Sequence, residues 1–300
     1  MSIYLNESTR AIIQGGTGRI GRVQARWMRE CGTNLVAAVT PGRGGEDLDG
    51  LPVYDCVAEA VERLGANASV LFTPAPYVRD AVLESIDAGI GLVVAIPEHV
   101  PVHDALEIRR AARERGAVLL GPNCPGIITP GVGKLGIMPS GMFSAGRIGL
   151  ISRSGTLSYE AAGVVIAGGM GISTLVGIGG DPVIGTDIER ILDEYERDPE
   201  TDAVVLVGEI GGSAEERAAP YIRSMKKPVV VYIAGKTAPE GRTLGHAGAI
   251  IRKGTGTVGA KIRILSESGA RIAPAISDIP DILRKSLNIS EDDTSTTRSI

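Results

Sequence analysis

Aromatic side chains are nearly missing from this chain: one Trp, two Phe and seven Tyr among 300 residues. A core so poor in rings must be packed from Val, Ile, Leu and Ala, which suits strands covered on both faces by helices. Cysteine is scarce as well. Cys31, Cys56 and Cys124 give an odd count with no CxxC spacing, which argues against a disulfide framework or a zinc ribbon and fits a reducing compartment. No run of roughly 18 apolar residues occurs, and Met1 to Arg10 lacks the apolar stretch of a secretory signal. A cytoplasmic chain without membrane contact is expected. The net charge of −4, with no basic block, speaks against nucleic acid. Only three histidines are present, and His99 and His103 cannot form HExxH because Val100 stands where Glu is needed. No metal site is expected.

Glycine, by contrast, is abundant, at 41 residues. It punctuates a regular alternation. Ala11–Gln14, Leu35–Thr40, Ser69–Phe72, Leu92–Ile96 and Val118–Leu120 read as strands, with helical patterns near 19–31, 56–64, 77–88 and 103–115 between them. A second series has strands at Ile148–Ser152, Ser173–Val176, Ala203–Val207, Val229–Ala234 and Arg271–Ala273. Its helices lie near 155–167, 186–196, 213–224, 257–268 and 278–286. Two α/β domains with doubly wound parallel sheets follow, split as 1–125 and 126–300. Gly121 to Gly146, with four prolines and seven glycines, reads as the crossing between them, and the polar tail from about 288 as frayed.

The first strand runs into Gly16-Thr17-Gly18-Arg19-Ile20-Gly21, a GxGxxG between strand and helix. Such glycines admit a pyrophosphate to the helix N-terminus, whose N–H groups and dipole favour anions. A turn needed only for close packing is the alternative. The acid that usually holds the ribose of NAD about 20 residues on is missing: the second strand ends Ala38-Val39-Thr40-Pro41. Arg43 follows on Gly42-Arg43-Gly44-Gly45, a cation suited to a phosphorylated ribose such as NADP or coenzyme A, unless it is merely exposed. Thr73-Pro74-Ala75-Pro76 and Pro97-Glu98-His99 leave neighbouring strands and line the same crevice.

In the second series, Ser152-Arg153-Ser154-Gly155-Thr156 opens a helix and offers hydroxyls, a guanidinium and N–H groups to an anion, although N-capping explains the hydroxyls nearly as well. Glu209, flanked by glycines at a strand end, is placed to orient an imidazole. His246 offers such an imidazole, unless it is a core or capping histidine in a flexible loop. Gly235, Gly241, Gly245 and Gly248 surround it, so a ring nitrogen is approachable by something bulky, as a phosphate-carrying histidine requires. Gly235-Lys236-Thr237 imitates a P-loop end, but Val230 stands where that motif needs Gly.

These stretches resemble the succinyl-CoA synthetase (succinate–CoA ligase) α-subunit family along almost the whole chain. The resemblance rests on Gly121-Pro122-Asn123-Cys124-Pro125-Gly126, Ser152 to Leu157, Gly177-Ile178-Gly179-Gly180-Asp181-Pro182, Gly208 to Glu216, and Gly245 to Ile251. It implies a Rossmann-like CoA-binding domain followed by a flavodoxin-like ligase domain. It implies too a β subunit with an ATP-grasp site for ATP or GTP and Mg2+, in an αβ or α2β2 assembly. By position, His246 would be phosphorylated and Glu209 would orient it. Thr17, Gly18, Arg19, Ile20, Arg43, Ile96, Pro97 and Glu98 would contact coenzyme A. Ser154, Gly155 and Thr156 would hold phosphate, and Tyr159 and Asn123 would face the acid. The sequence departs from the family at Gly16, at Arg22-Val23-Gln24, at Pro97 and at Lys236, so malate–CoA or citryl-CoA ligation stays open beside succinate. An NADP-dependent oxidoreductase and a non-catalytic CoA-sensing protein are the readings from other classes.

Overall fold

The computed structural model describes residues 2–237, 245–250 and 256–289. Gly241 and Ile251 of the stretches quoted above, and the tail beyond 289, lie outside the described residues. By contact density the chain forms two compact units. One holds Tyr4–Ser140 with Val176–Thr186; the other holds Gly141–Leu175 with the described residues from Asp187 on. The first unit thus runs past 125 and takes back a later segment.

Its elements are β1 (Ala11–Gln14), α1 (Arg19–Glu30), β2 (Leu35–Val39), β3 (Asp47–Leu48), β4 (Leu51–Tyr54) and α2 (Val57–Leu64). Then come β5 (Ala68–Leu71), α3 (Val78–Asp87), β6 (Leu92–Ala95), α4 (Val102–Arg115) and β7 (Val118–Leu120). The strand order is β3-β4-β2-β1-β5-β6-β7. The β1 strand lies between β2 and β5, both parallel to it, so the chain reverses its direction of progress there. Ligands bind at such a switch point, beyond the carboxyl ends of the strands.

The segment expected as an irregular crossing contains an antiparallel hairpin, β8 (Gly126–Thr129) and β9 (Gly133–Gly136). Its glycines serve close approach: a Cβ at Gly126 would lie 2.0 Å from the Leu135 carbonyl oxygen, and one at Gly136 2.2 Å from that of Pro125. Composition that signals a loop here signals backbone pressed on backbone.

The second unit contains β10 (Ala145–Ser152), α5 (Gly155–Ala167), β11 (Ile172–Gly177), α6 (Ile188–Arg197) and β12 (Ala203–Glu209). It continues with α7 (Ala214–Ser224), β13 (Val229–Ala234), α8 (Val258–Glu267), β14 (Arg271–Ile272) and α9 (Ile279–Leu287). Strand order is β14-β13-β12-β10-β11, and β10, β12, β13 and β14 pair in parallel. Every residue of β12 is buried, as a strand covered on both faces must be. The core is aliphatic, as the want of rings required. Tyr195 is the aromatic exception; its hydroxyl donates to the Thr174 carbonyl at 2.7 Å, and its ring lies where a Cβ on Gly149 would be only 2.6 Å away. Among the described residues, no helix is long and apolar enough to cross a membrane.

Cys124 sits just before β8, buried, its thiol donating to the Ala95 carbonyl at 3.4 Å. Burial pushes this thiol up to about 12. Only the thiolate is nucleophilic. Iodoacetamide at pH 8 should therefore modify the half-buried Cys31 and Cys56 of the native chain and spare Cys124. Peptide mapping that finds Cys124 alkylated as fast as the other two would contradict this environment.

Candidate active site

The first unit carries the glycine turn expected to cradle an anion. Gln14 is in register with Val39 of β2 and Leu71 of β5, and Leu71 with Ala95 of β6. The segments from Gly15, Thr40, Phe72 and Ile96 therefore leave one edge of the sheet side by side. The turn is tight: a Cβ on Gly21 would stand 2.3 Å from the Gly15 carbonyl oxygen. Gly18 is the N-cap of α1 with no side-chain cap, and the first turn holds no acid. The N–H groups of that turn are thus left to a ligand, the arrangement that binds phosphate. Thr17 contributes a hydroxyl 3.0 Å from that of Thr40, and Ile20 is exposed.

Arg43 carries a partner of its own. Its Nε donates to Glu46 Oε1 at 2.8 Å, and its other nitrogen lies 2.6 Å from Oε2. This contact holds the guanidinium above its ordinary value. The pair is exposed and worth little, so a phosphate could compete for the cation. Asn123 joins the same edge. Its N–H donates to the Pro97 carbonyl at 2.9 Å and its amide to Asp181 Oδ1 at 2.9 Å, with the backbone of Asn123 left-handed at φ 55°. Pro97 and Asn123 are therefore brought together, and Asp181 is a neighbour that the sequence reading did not single out. His99 is also left-handed, at φ 65°, and exposed beside Glu98.

The second unit holds the histidine. Ser152 at the end of β10 is in register with Val207 of β12, so the turn that opens α5 and the Gly208–Gly212 loop emerge together. Gly211, at φ 83°, lets that loop meet the histidine segment: a Cβ there would be 2.2 Å from the Gly248 carbonyl oxygen. Its N–H donates to the Gly256 carbonyl at 2.8 Å. This contact sets His246 Nδ1 2.7 Å from Glu209 Oε2. The imidazole is 23% exposed and the carboxylate 8%. The ring is reachable from solvent while its partner is buried, which suits a group that reacts with something entering from outside.

Behind Glu209 lies a buried ionic cluster. Arg153 Nη2 is 3.4 Å from Glu209 Oε1, and Nη1 is 3.7 Å from Glu215 Oε1. Lys261 pairs with Glu215 and, at 3.1 Å, with Glu216; neither Lys261 nor Glu215 has any exposed side chain. The expectation that Arg153 offers its guanidinium to an anion needs correction, because two carboxylates already hold it below the surface. Glu215 and Lys261 were missed altogether. Glu215 reads as an acid in the first turn of α7, and nothing in the local pattern joins it to a lysine 46 residues on.

At the start of α5, Ser154 caps its own helix through Leu157 N–H at 3.4 Å, and its hydroxyl is also 3.4 Å from that of Thr156. No acid lies in the first turn. Tyr159, on the same helix, meets Phe143 edge to face, with ring centroids 6.2 Å apart.

Residues 6–99 match the CoA binding domain family, and residues 151–271 the CoA-ligase family. The succinate–CoA ligase [ADP-forming] subunit alpha of Methanothermobacter thermautotrophicus is 52% identical over 287 residues, covering 96% of this chain and 98% of that one. The protein of the same name from Aquifex aeolicus is 48% identical, covering 97% of this chain and 96% of that one. Among solved structures, an ATP citrate lyase of Methanosaeta concilii in complex with (3S)-citryl-CoA superposes with a TM-score of 0.85 at 22% identity, over 96% of this chain and 51% of that one. Acetyl-coenzyme A synthetase 1 of Ca. Korarchaeum cryptofilum gives 0.73 at 22%, over 92% and 60%. At such identities these two structures speak to the fold.

Proposed function

The chain belongs to the succinate–CoA ligase alpha-subunit family, and on that premise we propose that His246 carries phosphorus between a nucleotide and an acid, for an enzyme completed by a β chain. Family membership decides against the oxidoreductase and the non-catalytic readings. The observation that carries the proposal is the contact of Nδ1 with Glu209 on a ring open to solvent. A buried carboxylate on Nδ1 selects the tautomer whose proton sits there, so the Nε2 lone pair is the nucleophile.

Nε2 attacks the terminal phosphorus of a nucleoside triphosphate, and the bond to the diphosphate breaks as the N–P bond forms. Glu209 offsets the positive charge that the substituted ring acquires. A carboxylate oxygen of the acid then takes the phosphoryl group, and the N–P electrons return to Nε2. Coenzyme A supplies a thiol that, on losing its proton, displaces phosphate from the acyl carbon. The uncapped first turn of α1 suits the diphosphate of coenzyme A, and the acid-free first turn of α5, capped only by Ser154, suits the transferred phosphate.

Roles follow by position. Thr17, Gly18, Arg19, Ile20, Arg43, Ile96, Pro97 and Glu98 serve coenzyme A; Ser154, Gly155 and Thr156 serve phosphate; Tyr159 and Asn123 face the acid. Residues 1–125 are assigned to the CoA-binding domain and 126–300 to the ligase domain. The partner is read as an ATP-grasp chain that binds the nucleotide and Mg2+, with ADP as product in line with the relatives' names, in the cytoplasm. Succinate is the acid of choice, with malate and citrate as the comparisons. Coexpressed with its β chain and given labelled nucleotide, this chain should take up acid-labile, base-stable phosphate on the peptide containing His246. Loss of that label should follow addition of succinate and coenzyme A together. A complex that turns over while its phosphate is found on no histidine would refute the scheme.

A further inference from the structure

We propose that Arg153 is a positioning residue for the reacting histidine: it fixes the Glu209 carboxylate against His246 as the second link of a buried chain of alternating charge that runs through Lys261 to Glu216. The inference rests on the reading of His246 given above. Starting at the ring, the order is imidazole, Glu209 carboxylate, Arg153 guanidinium, Glu215 carboxylate, Lys261 ammonium and Glu216 carboxylate. Each anion stands between or beside cations, and each cation beside an anion. The two carboxylates that flank Arg153 are tied to each other as well, since Glu215 Oε1 accepts the backbone N–H of Glu209 at 3.1 Å.

Three observations set Arg153 apart from a binder of incoming phosphate. Its side chain is 4% exposed. Its backbone is pinned by the Ser152 hydroxyl, which donates to the Ser154 carbonyl at 2.7 Å, and by its own N–H on the Val207 carbonyl at 3.3 Å. Its two terminal nitrogens face Glu209, Glu215 and the Gly211 carbonyl, the last at 3.4 Å, while its buried Nε has no hydrogen-bond partner among the described residues. Glu209 shows why the guanidinium matters. Its Oε2 is committed to the ring, whereas its buried Oε1 has no hydrogen-bond partner among the described residues and faces Arg153 Nη2. Take the cation away, and Oε1 is left without water or counter-charge and pushed by Glu215. Glu209 then turns off its line, and the ring loses both its chosen tautomer and its direction. A displacement of about 1 Å at a reacting group costs on the order of 100-fold in rate.

The test uses the α–β complex with Arg153→Met, Arg153→Gln and Arg153→Lys. Arg153→Met and Arg153→Gln should lower kcat by about 10- to 100-fold, with KM for coenzyme A, acid and phosphate within about 2-fold. Arg153→Lys, which keeps the charge and loses the fork, should recover part of that loss. Nitrogen NMR of labelled histidine should show His246 protonated at Nδ1 in the parent and as a mixture of tautomers in Arg153→Gln. Arg153→Gln fills nearly the same room, so it reports even if Arg153→Met fails to fold. A parental kcat together with a parental tautomer in Arg153→Gln would overturn the proposal, as would a phosphate KM raised tenfold at unchanged kcat, which marks a phosphate ligand. If the parent complex itself carries no phosphate on His246, it is the reading of the histidine that has failed, not this one.

Discussion

Replacing His246 by alanine should cost the assembled enzyme on the order of 10^4-fold or more in acyl-CoA synthesis. Both displacements at phosphorus in the proposed reaction pass through one nitrogen, and the acyl phosphate that the thiol attacks cannot form without them. His99 lies in the other compact unit. Glu209 is buried and already serves the ring. Affinity for coenzyme A should stay within about 2-fold, because the α1 cradle belongs to a unit that does not contain the substitution. Stability should change by less than about 1 kcal/mol, since the ring is partly exposed and leaves no sealed cavity. Phosphate uptake, acyl-CoA formation and coenzyme A titration on one preparation check all three. Acyl-CoA production by the alanine variant at the parental rate would end the proposal.

Lys261→Met should destabilise the second unit by about 3–5 kcal/mol. Lys261 and Glu215 are fully buried and Glu216 is 15% exposed, so removing the ammonium leaves Glu215 with Arg153 at 3.7 Å and the Glu209 N–H, and takes the cation from Glu216. Breaking one side of a buried pair is costly because the remaining ion loses its nearest counter-charge and regains no water. The exposed pair Arg110–Glu114, 3.9 Å apart, is the control: Arg110→Ala should cost no more than about 0.5 kcal/mol. Urea unfolding followed separately in the two units would show the loss confined to the one carrying α7 and α8. Equal stability for Lys261→Met and Arg110→Ala would mean that the cluster is solvated in solution.

Much of this molecule was legible in advance, and the reason is local. Strand β13 was expected at Val229–Ala234 and helix α5 at 155–167, and both lie there, because an apolar β-branched run or a helical period is a property of neighbouring residues. The cradle was legible for the same reason: strand, glycines and helix start are contiguous from Ala11 to Glu30. The β8–β9 hairpin was not. Its glycines and prolines carry the composition of a loop, and only the facing strand shows that Gly126 and Gly136 are needed for contact. Glu209 was singled out with its histidine, 37 residues away, on the strength of its place at a strand end.

Sequence alone therefore gave the fold class and the order of most elements, and it pointed to the glycine turn before α1 and to His246, each written in adjacent residues or in a motif with fixed spacing. Tertiary structure alone decided that Arg153 turns inward to two carboxylates, that Lys261 extends the chain of charges, and that Arg43 begins paired with Glu46. A side chain's direction and its desolvation depend on what other segments bring within about 4 Å, and for Arg153 and Lys261 those segments are tens of residues away along the chain.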